Sequence, residues 1–140
     1  MFKLLNLKLY PVYNLLLLYR MRSLLQNTRK PDITFYRDGR ILITARIARI
    51  LEIKPGDAIN IALDDKEYLL YAKHNLNGRH EAQCYPTKKG SNNLCANSIK
   101  LSRALLDKCN ILALKASFMV GEVIIIQEQK FCPIIIGKPL

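Results

Sequence analysis

Tyr36-Arg37-Asp38-Gly39-Arg40-Ile41-Leu42-Ile43-Thr44 runs into Ala45-Arg46-Ile47-Ala48-Arg49-Ile50-Leu51 and closes on Lys54-Pro55-Gly56-Asp57, compressing four structural signals into about twenty residues. Arg37 to Arg40 is a turn, with Gly39 free to take positive φ. Ile41 to Ile43 reads as a strand, and Thr44 as the N-cap of a short helix, its hydroxyl accepting from a first-turn amide. On that helix Ile47, Ile50 and Leu51 share one face, while Arg46 and Arg49 share another. Pro55 at the second and Gly56 at the third turn position specify a type II turn, after which a strand must begin.

A weaker copy follows 54 positions later, where Ser98-Ile99-Lys100-Leu101-Ser102-Arg103-Ala104-Leu105 aligns with Thr44 to Leu51. Between the copies, Ile59 to Leu63 and Tyr68 to Ala72 form a predicted hairpin across the polar Asp64 to Glu67. Lys73 to Asn93 reads as loop around a short apolar island at Ala82 to Tyr85. The second copy continues with a strand at Leu94 to Ala96, Ser98 as cap, a helix to about Lys108, and β-rich sequence from Ile111 to Ala116. Phe118 to Val120 and Val123 to Gln127 form a predicted hairpin turning at Gly121-Glu122. A last strand is expected over Phe131 to Ile136, broken by Pro133.

Outward from this repeat, composition sets the bounds. The 140 residues are 50 % hydrophobic, which fits one domain with a sizeable core. The net charge of +11 favours a polyanion or an acidic membrane surface. That charge is unevenly spread: residues 1 to 30 carry Lys3, Lys8, Arg20, Arg22, Arg29 and Lys30 with no acid. More than half the excess thus lies outside the repeat, so the local pattern must carry any case for nucleic acid.

Residues 1 to 30 form a basic, leucine-rich N-terminal segment, and residues 31 to 140 the tandem domain, with units about 33–73 and 83–127. Leu15 to Tyr19 is too short to span a membrane, and Pro11 interrupts its approach. Three readings stand for this segment: a loose tail, an interfacial amphipathic anchor, or an extension of the reading frame ahead of a native start at Met21. Membrane association is the disfavoured one. Cys84, Cys95, Cys109 and Cys132 show no CxxC spacing and are too sparse for a disulfide framework, which predicts reduced thiols and a cytoplasmic protein.

From Asp38-Gly39-Arg40 through Lys54-Pro55-Gly56-Asp57 to Leu63, the first copy resembles the swapped-hairpin module of AbrB-type transition-state regulators and MazE-type antitoxins. Two copies in one chain make the MraZ type, with tandem modules, the closer parallel. The resemblance covers about 40 residues well and the second copy poorly. It implies an α+β, mainly β fold: a swapped-hairpin-like small β-barrel of two βαββ-type units with short helices, used by bacterial regulators to bind DNA. The chain departs from the pattern at Thr44, where the family has proline, at Asn93-Leu94 in place of Gly-Arg, and at Cys109-Asn110 in place of a Pro-Gly turn.

The candidate DNA-binding residues are Arg37, Arg40, Arg46, Arg49, Lys100 and Arg103. Arg46 and Arg49 stand i, i+3 on the first helix, and Lys100 and Arg103 occupy the matching places on the second. Four cations related by a pseudo-two-fold axis suit phosphates and, through Arg, guanine edges. They equally suit the solvated faces of two amphipathic helices. Arg37 and Arg40 flank the glycine turn, where the family's basic residues help contact DNA, and Arg40 has Asp38 and Asp57 as alternative partners. Lys88 and Lys89 are further loop candidates.

His74, His80 and Cys84 match no strong zinc signature, and no metal or cofactor is expected. Nothing forms a Gly-rich phosphate loop, an HExxH motif or a nucleophile elbow, and adjacent Asp64 and Asp65 make no acid/base pair. The sequence therefore predicts a DNA-binding transcriptional regulator without catalytic residues. Its alternative is an antitoxin-like or scaffold interaction module, which leaves a homo-oligomer and a protein partner both open.

Overall fold

The structure is a computed structural model that describes residues 30–137. The chain divides into Met1–Lys30 and Pro31–Leu140, so the expectations for the N-terminal segment lie outside the described residues. Strand β1 (Ile33–Tyr36) turns into β2 (Arg40–Ile43), which leads into α1 (Ala45–Ile50). The hairpin β3 (Ala58–Asp64) and β4 (Glu67–Lys73) follows, then β5 (Tyr85–Pro86), β6 (Leu94–Asn97) and α2 (Ile99–Lys108). β7 (Lys115–Phe118), β8 (Ile124–Ile126) and β9 (Gln129–Ile134) complete an α+β, mainly β fold.

The strands make two antiparallel sheets, one ordered β5-β6-β2-β1-β7 and the other β3-β4-β9-β8. Among the described residues the sheets touch through isolated bridges, Ala58 with Gln83 and Val120 with Ile134, and no ladder closes the expected barrel. The chain past β7 leaves its sheet to pair with β9: Gly121 N–H donates to Pro133 at 2.7 Å, and Ile135 N–H to Met119 at 2.9 Å. Pro133 has no N–H with which to extend a ladder.

The repeat is written into the central register. Ile41 pairs with Ala96 and Leu42 with Cys95, while Arg40 pairs with Asn97 and Ile43 with Leu94. Shifting by 54 residues exchanges the members of these pairs, so the β2–β6 ladder maps onto itself about a local pseudo-two-fold axis. Each strand feeds its own helix, and α1 and α2 leave from opposite ends of the ladder. Beyond it the copies exchange partners. β1 pairs with β7 of the second copy, and the chain entering β3 pairs with the second copy's entry, through Cys84 N–H to Asp57 at 2.7 Å and Ile59 N–H to Ala82 at 3.1 Å.

Both helices end in the same Schellman cap. Glu52 (φ 56°) and Asn110 (φ 57°) take the left-handed position, and Ile53 N–H to Ala48 matches Ile111 N–H to Leu106. At this cap the offset between copies is 58, because α2 has 10 residues and α1 only 6. Cys109-Asn110 is thus the counterpart of Leu51-Glu52, not of Pro55-Gly56. The second helix is longer than the first by about one turn.

Two local expectations change. Thr44 is the N-cap of α1, but its side chain makes no cap bond; its hydroxyl donates to the Asp32 carbonyl at 3.2 Å, and Asn93 Oδ1 from the second copy accepts from Ala45 N–H at 2.8 Å. The last hairpin turns at Gln127-Glu128, not Gly121-Glu122: both residues have positive φ, and Ile126 pairs with Gln129, a two-residue turn of the type I′ kind. The second unit accordingly runs past 127 into β9, which includes Pro133 and pairs with β4. Buried Phe35, Ile41, Ile43, Ile47, Leu51, Leu70 and Leu106 fill the core, with the Phe35 and Phe118 rings edge to face at 6.0 Å.

Candidate nucleic-acid interface

The Arg37-to-Arg40 turn sits on the second helix. Asp38 Oδ1 accepts from Arg40 N–H at 3.0 Å, which holds the Asp38 carboxyl below its ordinary value, the Arg40 guanidinium adding to the effect. Gly39 has φ +103° and its carbonyl accepts from Ser98 N–H at 2.9 Å, so the turn caps the start of α2. Buried Ser102 donates its hydroxyl to the Tyr36 carbonyl at 2.5 Å, and Arg103 Nε donates to the Arg37 carbonyl at 3.0 Å.

Arg37 is more fastener than probe. Its Nη1 pairs with Asp107 at 2.9 Å, its Nε donates to the Ala113 carbonyl at 3.1 Å, and its Nη2 donates to the Ile111 carbonyl. These bonds satisfy carbonyls just past the end of α2. Arg40 remains half exposed, paired with Asp38 at 3.1 Å and stacked 4.1 Å above the Tyr36 ring. Lys115 approaches the same ring at 5.6 Å. Of the six residues singled out from sequence, the structure thus brings Arg37, Arg40 and Arg103 together at one corner.

The opposite corner has the same plan. Between β5 and β6, the loop is braced by Thr87 N–H to the Asn93 carbonyl at 3.0 Å and Ser91 N–H to Lys88 at 3.0 Å, leaving Lys88 and Lys89 exposed. Asn93 of this loop caps α1 through Ala45 N–H, as Gly39 caps α2 through Ser98 N–H. Each corner therefore joins one copy's hairpin loop to the other copy's helix, and each is basic. The sequence showed both lysines; it did not show that their loop belongs with Arg46 and Arg49.

Arg46 and Arg49 differ despite their shared face. Arg46 Nη1 lies 3.0 Å from Oδ1 of buried Asp32, whereas Arg49 is exposed and makes no ion pair among the described residues. Lys100 is likewise exposed. It borders a hollow of about 460 Å³ between α2 and the β3–β4 hairpin, beside Lys73, His80 and Glu81.

The remaining candidates serve the fold. His74 Nδ1 bonds Asp57 Oδ2 at 2.7 Å, and His80 Nε2 lies 2.9 Å from the Asn77 carbonyl. Cys84 is buried, its thiol pushed up to about 12 by burial first and then by the charges of Asp57 and Cys95. Among the described residues no three His, Cys, Asp or Glu side chains are grouped to hold a metal. All four cysteines are free thiols, and no described helix is long and apolar enough to cross a membrane. Compared with protein-family models, curated proteins and solved structures, the chain matches none of them.

Proposed function

We propose that this chain is a DNA-binding transcriptional regulator of the swapped-hairpin class, of the AbrB or MraZ kind, acting in the cytoplasm without a cofactor. One observation carries the reading: the two-fold β2–β6 register, with partner exchange on either side, sets two basic corners symmetrically on one domain. Each corner pairs a hairpin loop with a helix, Arg40 with Arg103 at one, Lys88 and Lys89 with Arg49 at the other, while Lys100 borders the neighbouring hollow. Paired basic corners suit a duplex, where phosphate contacts fix register and Arg reads base edges. Arg37 and Arg46 support the corners from beneath.

The test is duplex binding by fluorescence anisotropy across a salt series, together with selection of bound sequences from a random library. Binding that weakens steeply with salt and enriches a sequence supports the reading. Binding without any salt dependence would remove it.

A second reading, a protein-interaction module, rests on a different observation. β8 is the outer strand of its sheet, and Val123, Ile124, Ile125 and Ile126 are all substantially exposed, Ile125 at 63 %. An apolar edge with no lysine, proline or bulge is a template for strand addition. Light scattering separates a second copy from a different partner at this edge.

A further inference from the structure

Two hollows adjoin at His80. The first, about 460 Å³, is bordered by Lys73, Glu81, Ser98 and Lys100; the second, about 540 Å³, by Arg79, Gln83, Tyr85 and Thr87. The segment from Arg79 to Gln83 passes between them, anchored by Ala82 N–H to the Asn97 carbonyl at 3.3 Å and by Gln83 Nε2 to the Gly56 carbonyl at 3.0 Å. The floor is thus fixed to β6 by a backbone bond and to the turn before β3 by a side-chain bond.

The rim is net cationic. Lys73, Arg79 and Lys100 are exposed and make no ion pair among the described residues. Glu81 borders the first hollow and accepts from the Ser98 hydroxyl at 2.6 Å, so one carboxylate stands there against Lys73 and Lys100 and the rim keeps a net positive charge. In the second hollow Tyr85 is 52 % exposed, an aromatic face left in water beside Arg79 and His80.

We propose that this groove is a binding path for a single strand of nucleic acid, with phosphates along Lys73, Lys100 and Arg79 and a base stacked on Tyr85. Hollows of this size each take a small-molecule-sized group, which suits a nucleotide. An unpaired cationic track with an exposed aromatic is the combination that single strands require, because every base has a stacking face whatever its sequence. An acidic peptide would satisfy the cations and leave the tyrosine without a role. The path shares no residue with the two basic corners, so it stands or falls independently of the duplex reading.

The test uses the full chain and a fluorescent twelve-residue oligothymidylate, with polyglutamate of similar charge as competitor. Tyr85→Ala is expected to weaken oligothymidylate binding at least fivefold, and Tyr85→Phe to restore it, since stacking needs the ring and not the hydroxyl. The double variant Lys73→Ala/Arg79→Ala is expected to reduce the slope of log affinity against log salt by about 1.4, at about 0.7 per phosphate for single strands. Wild-type affinity in Tyr85→Ala, an unchanged salt slope in the double variant, or equal binding of polyglutamate would each overturn the proposal.

Discussion

Arg46 forms an ion pair with Asp32. The carboxylate of Asp32 is buried, with Oδ1 3.0 Å from Arg46 Nη1 and Oδ2 accepting from Val120 N–H at 2.9 Å. Through it the first helix is tied to the chain just beyond β7, 88 residues from Asp32. A basic helix face that looks made for phosphate thus contains one residue assigned to the fold and one, Arg49, left to solvent.

Removing Arg46 takes an ion pair from a buried carboxylate, whereas removing Arg49 breaks no ion pair among the described residues. A buried pair that loses one member costs about 3–5 kcal/mol; since Arg46 is nearly half exposed, about 1–2 kcal/mol is expected for Arg46→Ala. Arg49→Ala should stay within about 0.5 kcal/mol. Urea titration of both variants checks this, and equal stabilities would remove the structural role of Arg46. A double Arg46/Arg49 variant would confound binding with folding, so Arg49 is the residue to change when DNA affinity is measured.

Gly39 tolerates no side chain. Its φ is +103°, and an added Cβ would stand 2.7 Å from Ile99 Cγ1 and 3.0 Å from the Ile99 backbone nitrogen. Gly39→Ala therefore meets both strain and a backbone clash, and should destabilise by about 2 kcal/mol or more. Gly56→Ala, at φ +94° with open space around it, should lose only the strain, about 1 kcal/mol. Denaturation midpoints that placed the two variants in the reverse order would contradict the docking of the turn on α2.

Thiol titration reports burial. Cys84 is pushed up to about 12 from an ordinary 9.0, mainly by burial, and burial also raises Cys132. A raised thiol means that the unfolded chain releases its proton first. Stability from this group is complete below pH 9 and falls between pH 9 and about 12, by at most about 1.4 kcal/mol per unit. At pH 8 a disulfide reagent should label Cys84 and Cys132 only as fast as the protein opens. Immediate labelling of all four thiols would contradict the packing.

Salt dependence separates the exposed cations from the engaged ones. For duplex DNA, replacing Arg49, Lys88 and Lys89 together by alanine should lower the slope of log affinity against log salt by about 2.7, at about 0.9 per phosphate. An unchanged slope would take the second corner out of the interface. Replacing Ile125 by lysine, in turn, should abolish any self-association seen by light scattering without altering DNA binding, because charge on an edge strand opposes strand addition.

Local signals were well read in the sequence where a residue's own backbone preference decides. Gly39, the strand over Ile41 to Ile43, and Ser98 as a cap that accepts from Leu101 N–H at 3.0 Å all stand as expected. So does the turn of Lys54 to Asp57, with Asp57 N–H donating to Lys54 at 2.9 Å. What escaped was set at long range. Thr44 is displaced as a capping group by Asn93, which lies 48 residues beyond the Ala45 amide it accepts from. Gln127-Glu128 takes positive φ without glycine or asparagine because the pairing of β8 with β9 imposes it. The division of labour between Arg46 and Arg49 depends on where Asp32 folds, which no spacing along the helix reveals.

The loop of one copy seated on the helix of the other has a consequence for how such a chain can change. Neither half is a free-standing cassette: cut within residues 74–84, α1 would lose Asn93 from its first amide and α2 would lose the Gly39 carbonyl from Ser98 N–H, and each hairpin loop would lose its seat. A substitution at Gly39 is felt by α2, and one at Asn93 by α1, so the two copies are obliged to drift as a couple. Their sequences can part company in letters while the contacts between them keep a common geometry, and the extra turn in α2 is a change that this mutual seating accommodates.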